Sequence, residues 1–412
     1  MLIYDCLLDT VTDSISYDAC IIGAGIAGLI LADQLSEKFN IAIIESGDFS
    51  INKRSQELNE MVISGYPVRQ NHQSRIRQIG GTCNIWAGRS LILNEIDLKH
   101  REWIEDSGWP ISKNELYKWY SLLPERYGLC KFEYFDEDKH NDLDDRLYKS
   151  IFAKGEFSSL KACWSKRVPR FGRRSRLFRN LEGNNKITLF KNATVDKLVD
   201  VGDSIQKCNI LTGKNTTIEI KAEKFVLCTG GLENARILLS SRDQFDAGLG
   251  NLFGNVGRYY MDHPTHVRKN IRLRSKIYNS SVFLKILRNG RIKNGIRFTD
   301  SFQQDNNLTN NYIELSPQFP ASYEASFSSM VQAAKTIMGR TEEPRNKLSF
   351  RDIKFGNIPE IIYLLSPSEI LPHSLSRLYY QYNKFLNRPI NSEALVLSHH
   401  LEQTPNRCSR VT

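Results

Sequence analysis

Tyr17 to Glu45 reads YDACIIGAGIAGLILADQLSEKFNIAIIE, and its order of apolar run, glycine turn, helical stretch, second apolar run and terminal acid decides the fold. Ala19 to Ile22 form a short continuous apolar run, the mark of a strand buried on both faces of a parallel sheet. A helix is expected at once after it. Gly23, Gly25 and Gly28 stand in G-x-G-x-x-G spacing: the first permits a tight turn, the second lets backbone approach a pyrophosphate, and the third lets helix pack close to strand. The free N–H groups and positive dipole end of the helix then favour an anion with no need of a basic side chain. Ile41 to Ile44 form the second strand, and Glu45 ends it, close to the spacing of roughly 20 residues expected for a carboxylate that accepts hydrogen bonds from a ribose. The unit predicts dinucleotide binding and leaves FAD and NAD both open.

At 412 residues the chain is long enough for two or three domains with their own cores. Hydrophobic residues at 41% and charged residues at 25% are the proportions of a soluble globular protein. The net charge of +10 is modest for this length and its Lys and Arg are scattered, so a solvated surface is expected rather than a nucleic-acid face. The densest basic run, KRVPRFGRRSRLFR from Lys166 to Arg179, lacks regularly interleaved aromatics and matches no nucleic-acid motif. Eight cysteines show no C-x-x-C pair and no zinc spacing, so no metal is expected. Cys20 and Cys228 fall inside expected buried strands, where a free thiol acts as a small hydrophobe, and a reducing, cytoplasmic compartment follows as the default. No apolar run reaches the roughly 18 residues needed to span a bilayer.

Further along, Gln78 to Arg89 reads QIGGTCNIWAGR, a glycine-rich loop of the kind that lets backbone lie against a ligand. Ser107 to Ser112 reads SGWPIS, and Ser112 with Glu115 forms a capping box opening a helix through Leu116, Trp119, Tyr120 and Leu123. From Phe171 the pattern turns helical, then gives strands at Ile187 to Phe190 and Ala193 to Val199. Phe225 to Cys228 reads as another buried strand, followed by Thr229, Gly230 and Gly231 and a helix through Glu233 to Leu239, which repeats the strand, glycine, helix physics of the opening unit. Strands near Val267 to Leu273 and Asn294 to Phe298, and helices near Ser328 to Ile337 and Ser374 to Phe385, are expected in the remainder. His263, before Pro264 in a loop, reads as structural.

YDACIIGAGIAGL, GGTCNIWAGR and SGWPIS together resemble the glucose-methanol-choline (GMC) family of FAD-dependent oxidoreductases. The resemblance implies an α/β fold: a Rossmann-like FAD-binding domain on a mostly parallel sheet, discontinuous over 1–100 and 185–262, and an α+β substrate domain on an antiparallel sheet over 263–395. Residues 101–184 would be an insertion, and 396–412 the start of a C-terminal segment. It implies FAD over NAD, with Gly80, Gly81, Asn84, Trp86 and Gly88 near the flavin, Thr229 and Gly230 in a second dinucleotide contact, and main-chain Val195 of NATV against the adenine. Some members attach flavin through a His at the site matching Ile85 or a neighbour; no His occurs between Gly80 and Arg89, so FAD is expected to be non-covalent.

The resemblance further implies hydride transfer from a CH–OH group of an alcohol or sugar to flavin, with a His as proton acceptor because its pKa lies near working pH. ALVLSHHLEQTPNRCSRVT, at the end of the sequence, resembles a segment after which family members continue for roughly another hundred residues carrying that His and its partner. The catalytic pair is therefore expected beyond Thr412. Adjacent His399 and His400 would point to opposite faces of a strand, and neither is assigned to catalysis. Two readings stay open: an FAD-dependent alcohol or sugar oxidoreductase with an unidentified electron acceptor, or a catalytically silent flavin-binding chain or half of a two-chain enzyme completed by a partner.

Overall fold

The computed structural model describes residues 1–10, 16–65, 74–136, 146–212, 216–272, 285–287, 289–318 and 394–412. In chain order the strands are β1 Leu2–Asp5, β2 Ser16–Ile22, β3 Ile41–Ile44, β4 Arg89–Ser90, β5 Phe157–Ser165, β6 Ile187–Lys191 and β7 Thr194–Val201. They continue as β8 Ser204–Leu211, β9 Thr217–Leu227, β10 Thr265–Ile271, β11 Lys285–Ile286, β12 Gly290–Phe298, β13 Asn311–Gln318 and β14 Ala394–Leu401. The helices are α1 Ile26–Leu35, α2 Lys53–Glu57, α3 Glu95–Leu98, α4 Lys113–Tyr120, α5 Leu123–Tyr127, α6 Arg146–Phe152, α7 Arg176–Glu182, α8 Gly231–Ser240 and α9 Asp300–Asp305.

Two compact units share these elements. The first comprises Met1–Ala87, Pro169–Met261 and Pro405–Thr412. Its seven-stranded sheet runs β1-β6-β3-β2-β9-β8-β7. The first five are parallel, with Ile22 opposite Ile44 and Leu227, whereas β9, β8 and β7 form an antiparallel meander. Cys20 to Ile22 and Ile41 to Ile44 are shut off from solvent on both faces, which is why the sequence shows unbroken apolar runs there instead of alternation. Each such Ile contributes about 1.5–3 kcal/mol by burial. Cys20, Ile22, Ala42, Ile44, Phe190 and Cys208 share one core with the meander's Leu198 and Ile210. α1 packs on β2 and β3 and against α7, through buried Leu29 and Ala32 on one helix and Leu177, Phe178 and Leu181 on the other.

The second unit comprises Gly88–Val168 and Asp262–Thr404. Its sheet is antiparallel in the order β10-β14-β13-β12-β5-β4, with β11 beside β12. One face is covered by α6: Tyr148 packs with Ile296, Ile313, Leu315 and Leu395, and its hydroxyl donates to the Asn294 carbonyl at 3.1 Å. A mostly parallel sheet with a second, antiparallel α+β unit is the fold class the sequence implied. Residues 101–184, read as an insertion, divide between the two: β5 is an internal strand of the second sheet, and α7 belongs to the first unit.

Several local expectations need adjustment. The helix opened by Ser112 stops at Tyr120 and a second begins at Leu123, because Pro124 at its start has no N–H to continue the first. Ser112 caps as expected, its hydroxyl accepting from the Glu115 N–H at 3.2 Å. β9 ends at Leu227, and Phe225 to Leu227 with Cys228 are half-buried, not buried. β8 pairs with β9 only as far as Lys221, so the end of β9 has a neighbouring strand on one side only. The helices expected at 328–337 and 374–385 lie outside the described residues. No helix among the described residues is long and apolar enough to cross a membrane, and those residues hold no group of three or more His, Cys, Asp or Glu suited to a metal ion.

Candidate functional site

The carboxyl ends of β2, β3 and β9 converge. From β2 the chain passes through α1 to β3 on one side, and β9 lies on the other; ligands of open α/β sheets bind outside the strand ends at such a switch. The Cys228 N–H donates to the Ile22 carbonyl at 2.7 Å and the Gly23 N–H to the Ile44 carbonyl at 2.7 Å, so the turns after the three strands are stitched together. A Cβ on Gly23 would stand 2.6 Å from the Cys228 carbonyl oxygen, and one on Gly28 would stand 2.0 Å from the Gly23 carbonyl oxygen. Backbone packing alone forbids a side chain at both.

Gly25 differs. It caps α1 with an ordinary extended backbone, φ −71° and ψ −178°, and a Cβ there would meet nothing closer than the Cys228 oxygen at 3.9 Å. Nothing among the described residues demands glycine at this position, at the mouth of a ten-residue helix. A Cβ at Gly231, at the start of α8, would likewise meet nothing within 4 Å among the described residues, and neither would one at Gly230, although there the backbone itself, φ +84°, calls for glycine. Two helix N-termini therefore open on bare backbone at adjacent strand ends, a cradle that fits the pyrophosphate of a dinucleotide.

Glu45 closes the cradle's far side. It is 6% exposed, and its carboxylate accepts from the N–H groups of Ala24 at 2.9 Å and Gly47 at 2.8 Å. Burial pushes this carboxyl above the usual range, and the Gly47 and Ala24 N–H donors and the charge of Arg77 offset that only in part. Oε1 accepts from Gly47 and from the Ser46 hydroxyl at 3.5 Å, whereas Oε2 takes the Ala24 bond and keeps a lone pair for a further donor. The glycine-rich loop arrives beside it: the Gly80 N–H donates to the Ala24 carbonyl at 2.8 Å, and a Cβ on Gly81 would stand 2.9 Å from Gly25 Cα.

The structure thus gathers Gly23, Gly25, Gly28, Glu45, Gly80, Gly81, Thr229 and Gly230. Asn84 and Trp86 fasten the loop instead. Asn84 donates to the Ile79 carbonyl at 2.8 Å and accepts from the Phe171 N–H at 3.2 Å, and the Trp86 indole donates to the Pro169 carbonyl at 2.8 Å. Val195 lies on β7, two residues after Ala193, whose N–H donates to the Glu45 carbonyl at 2.9 Å, and its own carbonyl accepts from Arg236 at 2.9 Å. Gly88 belongs to the second unit.

Other participants escaped the sequence reading. Asn234 accepts from the Thr229 N–H at 3.0 Å and hydroxyl at 2.6 Å, fixing the second turn. Glu233, 13% exposed, is held by Arg77 at 2.9 Å and Arg236 at 2.8 Å, with Arg75 at 3.6 Å. Burial pushes its carboxyl up, but Arg77 and Arg236 outweigh that and hold it below the usual range. The only sequence signal for this network was the density of polar residues in GGLENAR.

No family model matches the chain, and no curated protein matches it. Among solved structures it is similar to pyridoxine 4-oxidase from Mesorbium loti, at 19% identity over 74% of this chain and 68% of that one, with a TM-score of 0.46. It is also similar to two formate oxidase structures. One, from Aspergillus oryzae and concerned with FAD modification, has 15% identity over 81% of this chain and a TM-score of 0.42; the other has 14% identity over 81% and a TM-score of 0.43. This chain spans 66% of the length of each formate oxidase chain.

Proposed function

We propose that this chain is an FAD-dependent oxidoreductase of the glucose-methanol-choline type, acting on a CH–OH group of a small alcohol or sugar. The observation that carries the proposal is the bare backbone at Gly25, a glycine that the protein's own packing does not require and that a pyrophosphate would. In this reading the first unit holds the FAD and the second holds the substrate. The α1 N-terminus faces the pyrophosphate, Glu45 receives ribose hydroxyls, the Val195 main chain meets the adenine edge, and Thr229 and Gly230 form the second dinucleotide contact. Gly80, Gly81, Asn84, Trp86 and Gly88 carry the loop along the flavin, Asn84 and Trp86 by holding it in place. No His lies between Gly80 and Arg89, which supports non-covalent attachment. When bound, FAD supplies the hydride acceptor.

A second reading has an observation of its own. The described histidines, His100, His263, His266, His399 and His400, all belong to the second unit, and the first unit, which would hold the flavin, has none among its described residues; in this reading the chain is a silent flavin-binding protein or half of a two-chain enzyme. Anaerobic mixing separates the two. The chain loaded with FAD is followed at the visible flavin band against a panel of alcohols, sugars and sugar acids. Bleaching supports the enzyme; bound flavin that never bleaches supports the silent reading; failure to bind flavin overturns both.

A further inference from the structure

The face of the second sheet opposite the α6 core carries polar groups with no part in the nucleotide cradle. Alternation along β13 puts Ile313 and Leu315 toward the core and Tyr312, Glu314 and Ser316 on the other face. The register extends that face to His400 opposite Tyr312, to Thr265 opposite His400, and to Arg89 opposite Trp164.

Glu314 is 12% exposed and paired with both Arg89 and Lys293, whose ammonium stands 3.1 Å away and also donates to Ser316 at 2.9 Å. Burial raises the Glu314 carboxyl, but Lys293 and Arg89 outweigh it and keep the group ionised. Two cations against one anion leave a single positive charge. Arg89, 34% exposed, spends only Nη1 on Glu314; its Nε and Nη2 make no hydrogen bond among the described residues.

Beneath this guanidinium, 5.7 Å away, lies the Tyr312 ring. It occupies space that only glycine leaves, since a Cβ on Gly295 would stand 2.0 Å from ring atom Cε2. Tyr312 is 7% exposed, and its hydroxyl leans on the Glu314 carboxylate two residues along the strand. His400 stacks on the same ring with centroids 5.9 Å apart; its Nδ1 is 3.2 Å from the Thr265 hydroxyl, and Nε2 makes no hydrogen bond among the described residues.

We propose that Arg89, Tyr312 and His400 form a carboxylate-binding site, so that the alcohol this chain takes is a hydroxy acid or sugar acid. An arginine with two open donors in one plane matches both oxygens of a carboxylate. The Tyr312 ring supports both the guanidinium and the His400 imidazole from one side, which limits the rotamers they lose on binding. The surplus of one positive charge balances a carboxylate, whereas a phosphate monoester carries about −1.5 to −2. Calling the ligand a substrate rests on the oxidoreductase reading; the binding itself does not.

Titration calorimetry on the full chain with FAD tests this, using gluconate, its neutral counterpart sorbitol, glucose 6-phosphate, lactate and glycolate. A carboxylate is expected to bind, gluconate at least about tenfold more tightly than sorbitol. Arg89→Gln should weaken gluconate about tenfold and leave sorbitol unchanged, with Arg89→Lys between them. Tyr312→Leu removes the ring that supports the guanidinium, so it should lower gluconate affinity several-fold with sorbitol unchanged, whereas Tyr312→Phe, which keeps the ring, should bind gluconate nearly as the wild type does. Sorbitol matching gluconate, no binding of any of the three carboxylates, or glucose 6-phosphate binding most tightly overturns the assignment. The flavin spectrum of the same sample keeps the two ideas apart: carboxylate binding without flavin sinks the oxidoreductase reading and leaves the site standing.

Discussion

The two units make their polar sites from different material. In the proposed cradle at the strand ends of the first sheet the groups are main-chain N–H donors beside glycines, with the Glu45 carboxylate and, bound by arginines, that of Glu233. On the open face of the second sheet they are side chains, Arg89, Lys293, Tyr312, Glu314 and His400, brought from separate strands. A site of backbone is sensitive to atoms added, and a site of side chains to atoms removed.

Gly25→Asp is the largest test of that contrast. A Cβ has room there and Asp is a favoured N-cap residue, so stability should change by no more than about 1 kcal/mol, while the added volume and charge stand where the pyrophosphate would lie. Flavin retention after gel filtration should be abolished; a yellow, saturated variant would break the assignment. Gly28→Ala should act in the opposite way. Its Cβ would strike the Gly23 backbone, a strain of about 3 kcal/mol, visible as a lower melting temperature before any flavin is added.

Glu233→Gln sharpens the comparison from the side-chain end of the first unit. Leaving Arg75, Arg77 and Arg236 without their shared carboxylate should cost about 2 kcal/mol in chemical denaturation. The sign with pH follows from a folded pKa held below the ordinary glutamate value of 4.5. The wild-type contribution is fully present above that value and is lost as pH falls through the lower folded value. Stability of the variant should therefore fall less steeply below about pH 4.5. A parallel decline in the two proteins would remove Glu233 from the account. Smallest is Gly202→Ala, in the turn between β7 and β8, where φ is +61° and a Cβ meets nothing. Only the left-handed backbone is penalised, by about 1 kcal/mol, with flavin binding unchanged in an absorbance titration.

Legibility in the sequence followed the same division. Gly23, Gly25, Gly28 and Glu45 are separated by spacings that one strand, one turn and one helix dictate, so a single pass along the chain finds them. The same holds for Thr229 and Gly230. Asn84 and Trp86 stood out as unusual residues in a glycine-rich loop, but their partners are carbonyl and N–H groups of residues 79, 169 and 171, which no local pattern announces. The Arg89 to His400 cluster was invisible because residues meeting across strands leave no fixed interval in sequence. Buried charge such as Glu233 reads as surface until its arginines are known.

Pro405–Thr412 returns to the first unit, where the Val411 N–H donates to the Gly257 carbonyl at 2.7 Å and the Tyr260 N–H to the Ser409 carbonyl at 3.0 Å. The chain therefore passes between the units four times, near residues 87, 168, 261 and 404. Because each unit is built from segments that the other interrupts, on the ribosome they must mature together instead of one after the other. A protease nick at any one passage leaves the two units joined through the other three, while a segment cut off at an outer passage, 1–87 or 405–412, is kept by packing and hydrogen bonds alone.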